Sequence, residues 1–222
     1  MDLKYYLIGA GALFLLVFAL WLTHFIKMQR AKKIGKDGEK IVAKMLKKYA
    51  GIRSFKVLND VYLPLYDKTT QIDHILIGFF GILVVETKNL SGEIYGDPRK
   101  KEWLHIMGKK NQKKHNFYNP IMQNQTHIDC IRHILSQENI YKTNIESIVV
   151  FPSKKVELFI PKGLPIVTKK LFKRFIHQSR FDKDNNVDVD LLVNTIKKYQ
   201  ITDKKVIGEH VKNVKQMAKN NK

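Results

Sequence analysis

Three charged side chains in an otherwise apolar stretch, Asp73, Glu86 and Lys88 in DHILIGFFGILVVETK, are the residues of this sequence best placed for chemistry. Two neighbouring carboxylates repel when ionised, and burial makes their charged forms costlier still, so a divalent cation between them relieves the conflict. Such a cation makes a bound water more acidic, and an ammonium beside it can orient that water or stabilise charge on a phosphate. This is the chemistry of phosphodiester hydrolysis. Mg²⁺, with Mn²⁺ as a substitute, keeps several waters and asks only for one or two carboxylates and a carbonyl such as that of Thr87.

Whether the three groups meet depends on a hairpin. With Phe79-Phe80 as a two-residue turn between Gly78 and Gly81, Asp73 lies opposite Glu86, and a four-residue loop keeps the same register. A three-residue loop would put Asp73 on the opposite face from Glu86. In the first two cases Asp73, Glu86 and Lys88 share one face by the period-two alternation of a strand, while His74 faces the other way as a structural residue. The spacing alone leaves a plain cross-strand ion cluster as the competing reading, although buried ion pairs often cost more than they return.

The elements around this hairpin read as α/β. Residues 36–50 carry Ile41, Val42, Met45, Leu46 and Tyr49 at helical spacing, ending at Gly51. Glu39, three before Val42 and seven before Leu46, points to the packed side of that helix. SFKVLNDVYLP, QIDHILIG and GILVVETKN read as three strands, the last two apolar on both faces. SGEIYGDPRKKEWLHI reads as a hairpin turning at Asp97-Pro98, residues 121–138 as a helix, and IESIVVFP as a buried strand. One strand and two helices follow, then a basic, fraying tail of about 15 residues. The order makes one α/β domain.

Composition narrows the classes. With 40 Lys plus Arg against 20 Asp plus Glu, the 222-residue chain carries a formal charge of +20, which calls for nucleic acid or anionic lipid as company. A single Cys, Cys130, excludes an intramolecular disulfide or a cysteine-based metal site. Tyr5 to Ile26 run 22 residues without Asp, Glu, Lys or Arg, long enough to cross the roughly 30 Å hydrocarbon layer, and no cleavage site follows. Trp21, Tyr5 and Tyr6 suit its interfacial ends. Lys27, Arg30, Lys32, Lys33 and Lys36 follow the span and only Lys4 precedes it, so the positive-inside bias places the C-terminal body in the cytoplasm.

The ordered set GKDGEKIV at 35–42, QIDHILIG, GILVVETKNLSGEIYGD, Trp103 and NPIMQNQTHI at 119–128 resembles the nuclease-related domain, NERD, of the PD-(D/E)XK nuclease superfamily. The resemblance covers roughly residues 33–150. It implies a restriction-endonuclease-like mixed central β-sheet flanked by helices and a magnesium-dependent, DNA-cleaving site. By position, Asp73 and Glu86 become metal ligands, Lys88 the lysine of the ExK triplet, Glu39 the acidic residue of the first core helix, and Gln123 a supporting polar residue. His127, one turn after Gln123, shares its face as a partly buried helix histidine. The organisation expected is a single-pass anchor at 1–30, a nuclease core at 31–160 and a C-terminal α/β extension with a basic tail at 161–222.

Arg99, Lys100, Lys101, Lys109, Lys110, Lys113 and Lys114, interleaved with Trp103, are candidates to hold a nucleic-acid backbone, with the aromatic ring stacking on unpaired bases. A solvated basic loop is the plainer alternative. The expected partner is DNA, with RNA left open, and membrane lipid for the N-terminal helix. Two further readings remain: a non-catalytic nucleic-acid-binding or scaffolding module, and a basic surface for anionic lipid. No Walker-type loop, G-x-S-x-G elbow or HExxH motif supports another enzyme class.

Overall fold

The computed structural model describes residues 3–66, 68–108 and 112–220. The contacts divide the chain into two units, Met1–Asp37 and Gly38–Lys222. The first belongs to helix α1 (Leu3–Arg53), whose apolar window beginning at Leu13 is long enough to cross a membrane and has no part of its surface buried against protein. The same helix runs on into the second unit, past Gly51, and ends where Ser54 adopts a left-handed conformation (φ 57°).

Two mixed sheets organise the second unit. The first has the order β1 (Lys56–Leu65), β2 (Lys68–Gly78), β3 (Gly81–Thr87), β7 (Ile145–Phe151), β9 (Ile166–Thr168), with β1–β2–β3 antiparallel and β3–β7–β9 parallel. The second has the order β6 (Lys113–Tyr118), β5 (Glu102–Met107), β4 (Gly92–Tyr95), β8 (Val156–Phe159). Helices α2 (Pro120–Gln137) and α4 (Val189–Tyr199) cover one face of the first sheet, where Ile75, Ile77, Ile82 and Val84 meet Ile128, Ile131, Leu192 and Ile196. The end of α1 and α3 (Lys169–Ile176) cover the other face, with Leu76, Leu83 and Val85 against Val42, Leu46 and Phe172. β3 is buried along its whole length, as its apolar run on both faces requires.

Gly78 pairs with Gly81, so Phe79-Phe80 is a two-residue turn and Asp73 comes level with Glu86. Gly81 has φ 117°, and a Cβ there would lie 2.2 Å from the Asn144 carbonyl oxygen, so only glycine fits. The β1–β2 ladder breaks at Asp60 (φ 55°), opposite Asp73. Thr70 and Ile72 before the break and Ile75 and Ile77 after it all face the α2 layer, so β2 turns over by one residue at the position of Asp73.

Residues 161–222 add β9 to the first sheet and α4 to its main core, within the unit Gly38–Lys222. Two features differ from the sequence expectation. The C-terminal stretch is a helix, α5 (Lys204–Asn220), tied back where Thr69 Oγ1 and His210 Nδ1 share a hydrogen bond of 2.7 Å. Lys113–Tyr118 also form a strand, β6, because they pair along the whole of β5.

Candidate active site

The end of β3 delivers Glu86 and, just beyond it, Lys88, while β2 delivers Asp73 from the adjoining strand and α2 supplies Gln123 and His127 from above. Glu86 is even-numbered like Ile82 and Val84, the β3 residues that face α2, and alternation carries it to the same layer. The Lys88 ammonium donates to Glu86 Oε1 at 2.6 Å and to Gln123 Oε1 at 2.9 Å, with 23% of its side chain still exposed. Asp73 Oδ2 accepts the Thr87 N–H at 2.8 Å, which fixes the carboxylate to the backbone between Glu86 and Lys88. His127 faces Glu86, Nε2 to Oε2, at 3.4 Å, and its Nδ1 lies 2.9 Å from Thr70 Oγ1. If the Thr70 hydroxyl donates to Nδ1, the ring proton sits on Nε2, pointing at Glu86 from beyond ordinary hydrogen-bond length.

The electrostatics are those of a crowded acidic pair beside one cation. Burial first, and then the charge of Glu86, push the Asp73 carboxyl well above the usual carboxylate range. Burial is also the largest influence on Glu86 and would raise it, but the Lys88 ammonium and His127 together outweigh it and hold Glu86 down at about 2. For Lys88, burial favours loss of the proton, and Glu86 and Asp73 more than offset it, so its pKa is raised. Glu86 Oε2 and His127 Nε2 are both buried without a hydrogen-bond partner. A buried carboxylate oxygen left in that state is a fitting ligand for a cation. Among the described residues no group of three or more His, Cys, Asp or Glu side chains is placed to hold a metal ion.

Glu39 is half-buried, and its charge bears on Asp73, Lys88 and Tyr62, which places it at the rim of this cluster. The approach depends on Gly38, where a Cβ would come within 2.3 Å of the Asn89 Cβ. His74 faces the other way and pairs its Nδ1 with Asn59 Oδ1 at 2.7 Å, a structural role. Burial depresses its pKa to about 4.

The proposed backbone-binding residues divide. Arg99, Lys100, Lys101, Lys113 and Lys114 are exposed, though Arg99 is held by Asp97 at 3.1 Å. Lys109 and Lys110 lie outside the described residues. Trp103 does not belong in that set: it is 1% exposed, packs with Ile94, Val149 and Phe151, and donates its indole N–H to the Asp97 carbonyl at 2.9 Å. A ring so placed cannot stack on a base while the fold is intact.

Two participants escaped the sequence reading. Thr70 meets His127 because β2 turns over at Asp73, which no local pattern signals. Asn119, fully buried at the start of α2, donates to the carbonyls of Pro98 and Lys100 at 3.1 and 2.8 Å and accepts from the Ile121 N–H. It fastens the turn bearing Arg99, Lys100 and Lys101 to the helix bearing Gln123. Its Asn-Pro pair, an N-cap followed by proline, was the available signal.

Comparison with known proteins supplies a family. The nuclease-related domain matches residues 34–152, more than half of the 222-residue chain. An uncharacterized protein of Bacillus anthracis is 39% identical over 127 residues, covering 57% of this chain and 58% of that protein. The chain thus matches less than two thirds of that relative's length. No solved structure matches.

Proposed function

The chain belongs to the nuclease-related domain family, and from that premise we propose that it is a Mg²⁺-dependent hydrolase of DNA phosphodiesters, anchored in the cell membrane by its N-terminal helix. The observation that carries the reading is the convergence of Asp73, Glu86, Lys88 and Gln123 from three elements on one buried corner of the sheet. Asp73 and Glu86 would hold the ion, which when bound acidifies water and offsets charge on a phosphate. An ammonium has three donors, and Glu86 and Gln123 take two, so Lys88 keeps one for a phosphate oxygen. Gln123 holds the ammonium in place, and His127, braced by Thr70, backs the far oxygen of Glu86. The exposed lysines of the β4–β5 turn and β6 would bind the DNA backbone. The basic residues following the apolar span favour a cytoplasmic domain, acting at the inner membrane face.

The test is cleavage of linear, circular and single-stranded DNA, and of RNA, by the full chain in detergent with Mg²⁺ or Mn²⁺, beside Asp73→Asn and Lys88→Ala. Metal-dependent cutting lost in both variants, with DNA affinity retained, supports the nuclease. A folded protein that binds DNA and cuts nothing in either metal overturns it in favour of a non-catalytic binding module.

A further inference from the structure

A cleft of about 860 Å³ opens on the face of the first sheet that α1 and α3 cover, away from α2 and the Asp73–Glu86–Lys88 cluster. Its volume falls in the range of small-molecule sites, about 300–1,000 Å³. Met45, Tyr49 and Ile52 of α1, Val156 of β8 and Ile176 of α3 make an apolar floor. Lys48, Lys154, Lys169, Lys170 and Lys173 line the rim, and no carboxylate does. None of the five is ion-paired to a described carboxylate. Five like charges gathered around an apolar hollow repel one another until an anion joins them.

The helix beside the lysines favours that anion. The first turn of α3 carries Lys169 and Lys170 and no acid, and its N-cap, Thr168, makes no side-chain capping hydrogen bond. All three residues line the cleft, so the uncapped N–H groups and positive dipole end of the helix lie beside the lysines. Lysine at a helix start is otherwise disfavoured, and a bound phosphate reverses the sign of that interaction.

We propose that this cleft binds a membrane-derived amphiphile with one acyl chain and a phosphate monoester, of the lysophosphatidate type. The chain lies on the floor of Met45, Tyr49, Ile52, Val156 and Ile176, and the phosphate sits between the α3 N-terminus and the lysines. A nucleic-acid strand fits the rim charge but not the floor, which offers no hydrogen-bonding groups to base edges. A membrane source for the ligand rests on the proposed anchor, since α1, which supplies Met45, Tyr49 and Ile52 to the floor, begins with a segment apolar and long enough to cross a membrane. The assignment does not depend on nuclease activity.

The test uses the full chain in phosphatidylcholine nanodiscs with a lysophosphatidate carrying a photoactivatable diazirine in its acyl chain, followed by peptide mapping of the adducts. Adducts are expected on residues 45–52, 156 and 176. Excess lysophosphatidate should compete them away, whereas monoacylglycerol and glycerol 3-phosphate at the same concentration should not. Lys169→Glu/Lys170→Glu/Lys173→Glu, all on the rim, should reduce labelling roughly tenfold or more while leaving Trp103 fluorescence unchanged. Labelling confined to residues 3–30, equal competition by monoacylglycerol, or insensitivity to the charge reversals would overturn the site. Equal competition by glycerol 3-phosphate would reassign it to free phosphate, and competition by a 5′-phosphorylated oligonucleotide would reassign it to nucleic acid.

Discussion

Gly38→Ala separates a packing requirement from a helix preference more cleanly than any other single change. In an exposed helix interior, alanine for glycine stabilises by about 1 kcal/mol. At Gly38 the new Cβ would stand 2.3 Å from the Asn89 Cβ, against 3.4 Å for an ordinary contact, so helix or strand end must shift by about 1.1 Å. Neither side can yield cheaply, because the obstructing atom is next to the backbone that carries Lys88. Overpacking of this kind costs about 1–3 kcal/mol. The balance runs from roughly neutral to about 2 kcal/mol destabilising, or a fall in Tm of up to about 8 °C for a domain of this size. Gly51→Ala is the internal control: it lies in the same helix with nothing within 4 Å, so Tm should rise by about 2–4 °C. Thermal unfolding of the full chain in detergent, followed by Trp103 fluorescence, reads both. A shift of 1 Å between Glu39 and the Asp73–Lys88 cluster should also lower DNA cleavage by about 10²-fold in Gly38→Ala only. If the two variants melt alike and cut alike, α1 does not press on Asn89 and the placement of Glu39 argued here is wrong.

Other perturbations bear on the rest of the domain. Trp103→Ala should lower stability by about 3–5 kcal/mol, and in a Trp21→Phe background Trp103 emission should be blue-shifted and unaffected by iodide or DNA; quenching by DNA would restore it to the binding surface. Burial pushes the Cys130 thiol up to about 12. Its contribution is therefore complete below the unfolded value of about 8.5 and is lost as pH rises from there toward 12. Cys130→Ala should flatten that alkaline slope, and native Cys130 should resist iodoacetamide at pH 8 until the chain unfolds. Asn119→Ala removes two bonds to the basic turn and one to α2, costing about 2–3 kcal/mol. The amides of Asp97, Arg99, Lys100 and Lys101 and those of Ile121, Met122 and Gln123 should then exchange faster together, and acceleration in only one of the two segments would contradict the clamp.

The sheet that bears the candidate site was legible because its signals were local. Two glycines flanking Phe79-Phe80 allowed a two-residue turn, that turn put Asp73 level with Glu86, and alternation brought Lys88 to the same face. What stayed hidden depended on residues far apart in sequence. The left-handed Asp60 turns β2 over, and only then can Thr70 brace His127 against Glu86. Trp103 looked like a surface aromatic because basic residues surround it, yet the second sheet gives every other residue of β5 an inward side, and Trp103 and His105 take it. β6 was invisible as a strand because its lysines carry no hydrophobic pattern, and its partner β5 supplies the order instead.

The position of α4 and β9 governs how the polypeptide can be assembled. A segment cut at the family boundary, 34–152, would contain every candidate site residue but lack Leu192, Val193 and Ile196, which close the main core over Ile131 and Ile134. It would also lack Asn185, whose amide groups bond the carbonyls of Phe79 and Phe80 and seal the turn between β2 and β3. During synthesis the first three strands can pair as soon as they emerge and α2 can then cover part of their apolar face, but the rest is closed only when α4, Val189–Tyr199, has emerged. For that interval the nascent chain exposes part of an apolar sheet face with parallel neighbours still to come, the circumstance in which chains aggregate. Fragments for biochemical work should therefore run past Tyr199, whatever the sequence similarity suggests.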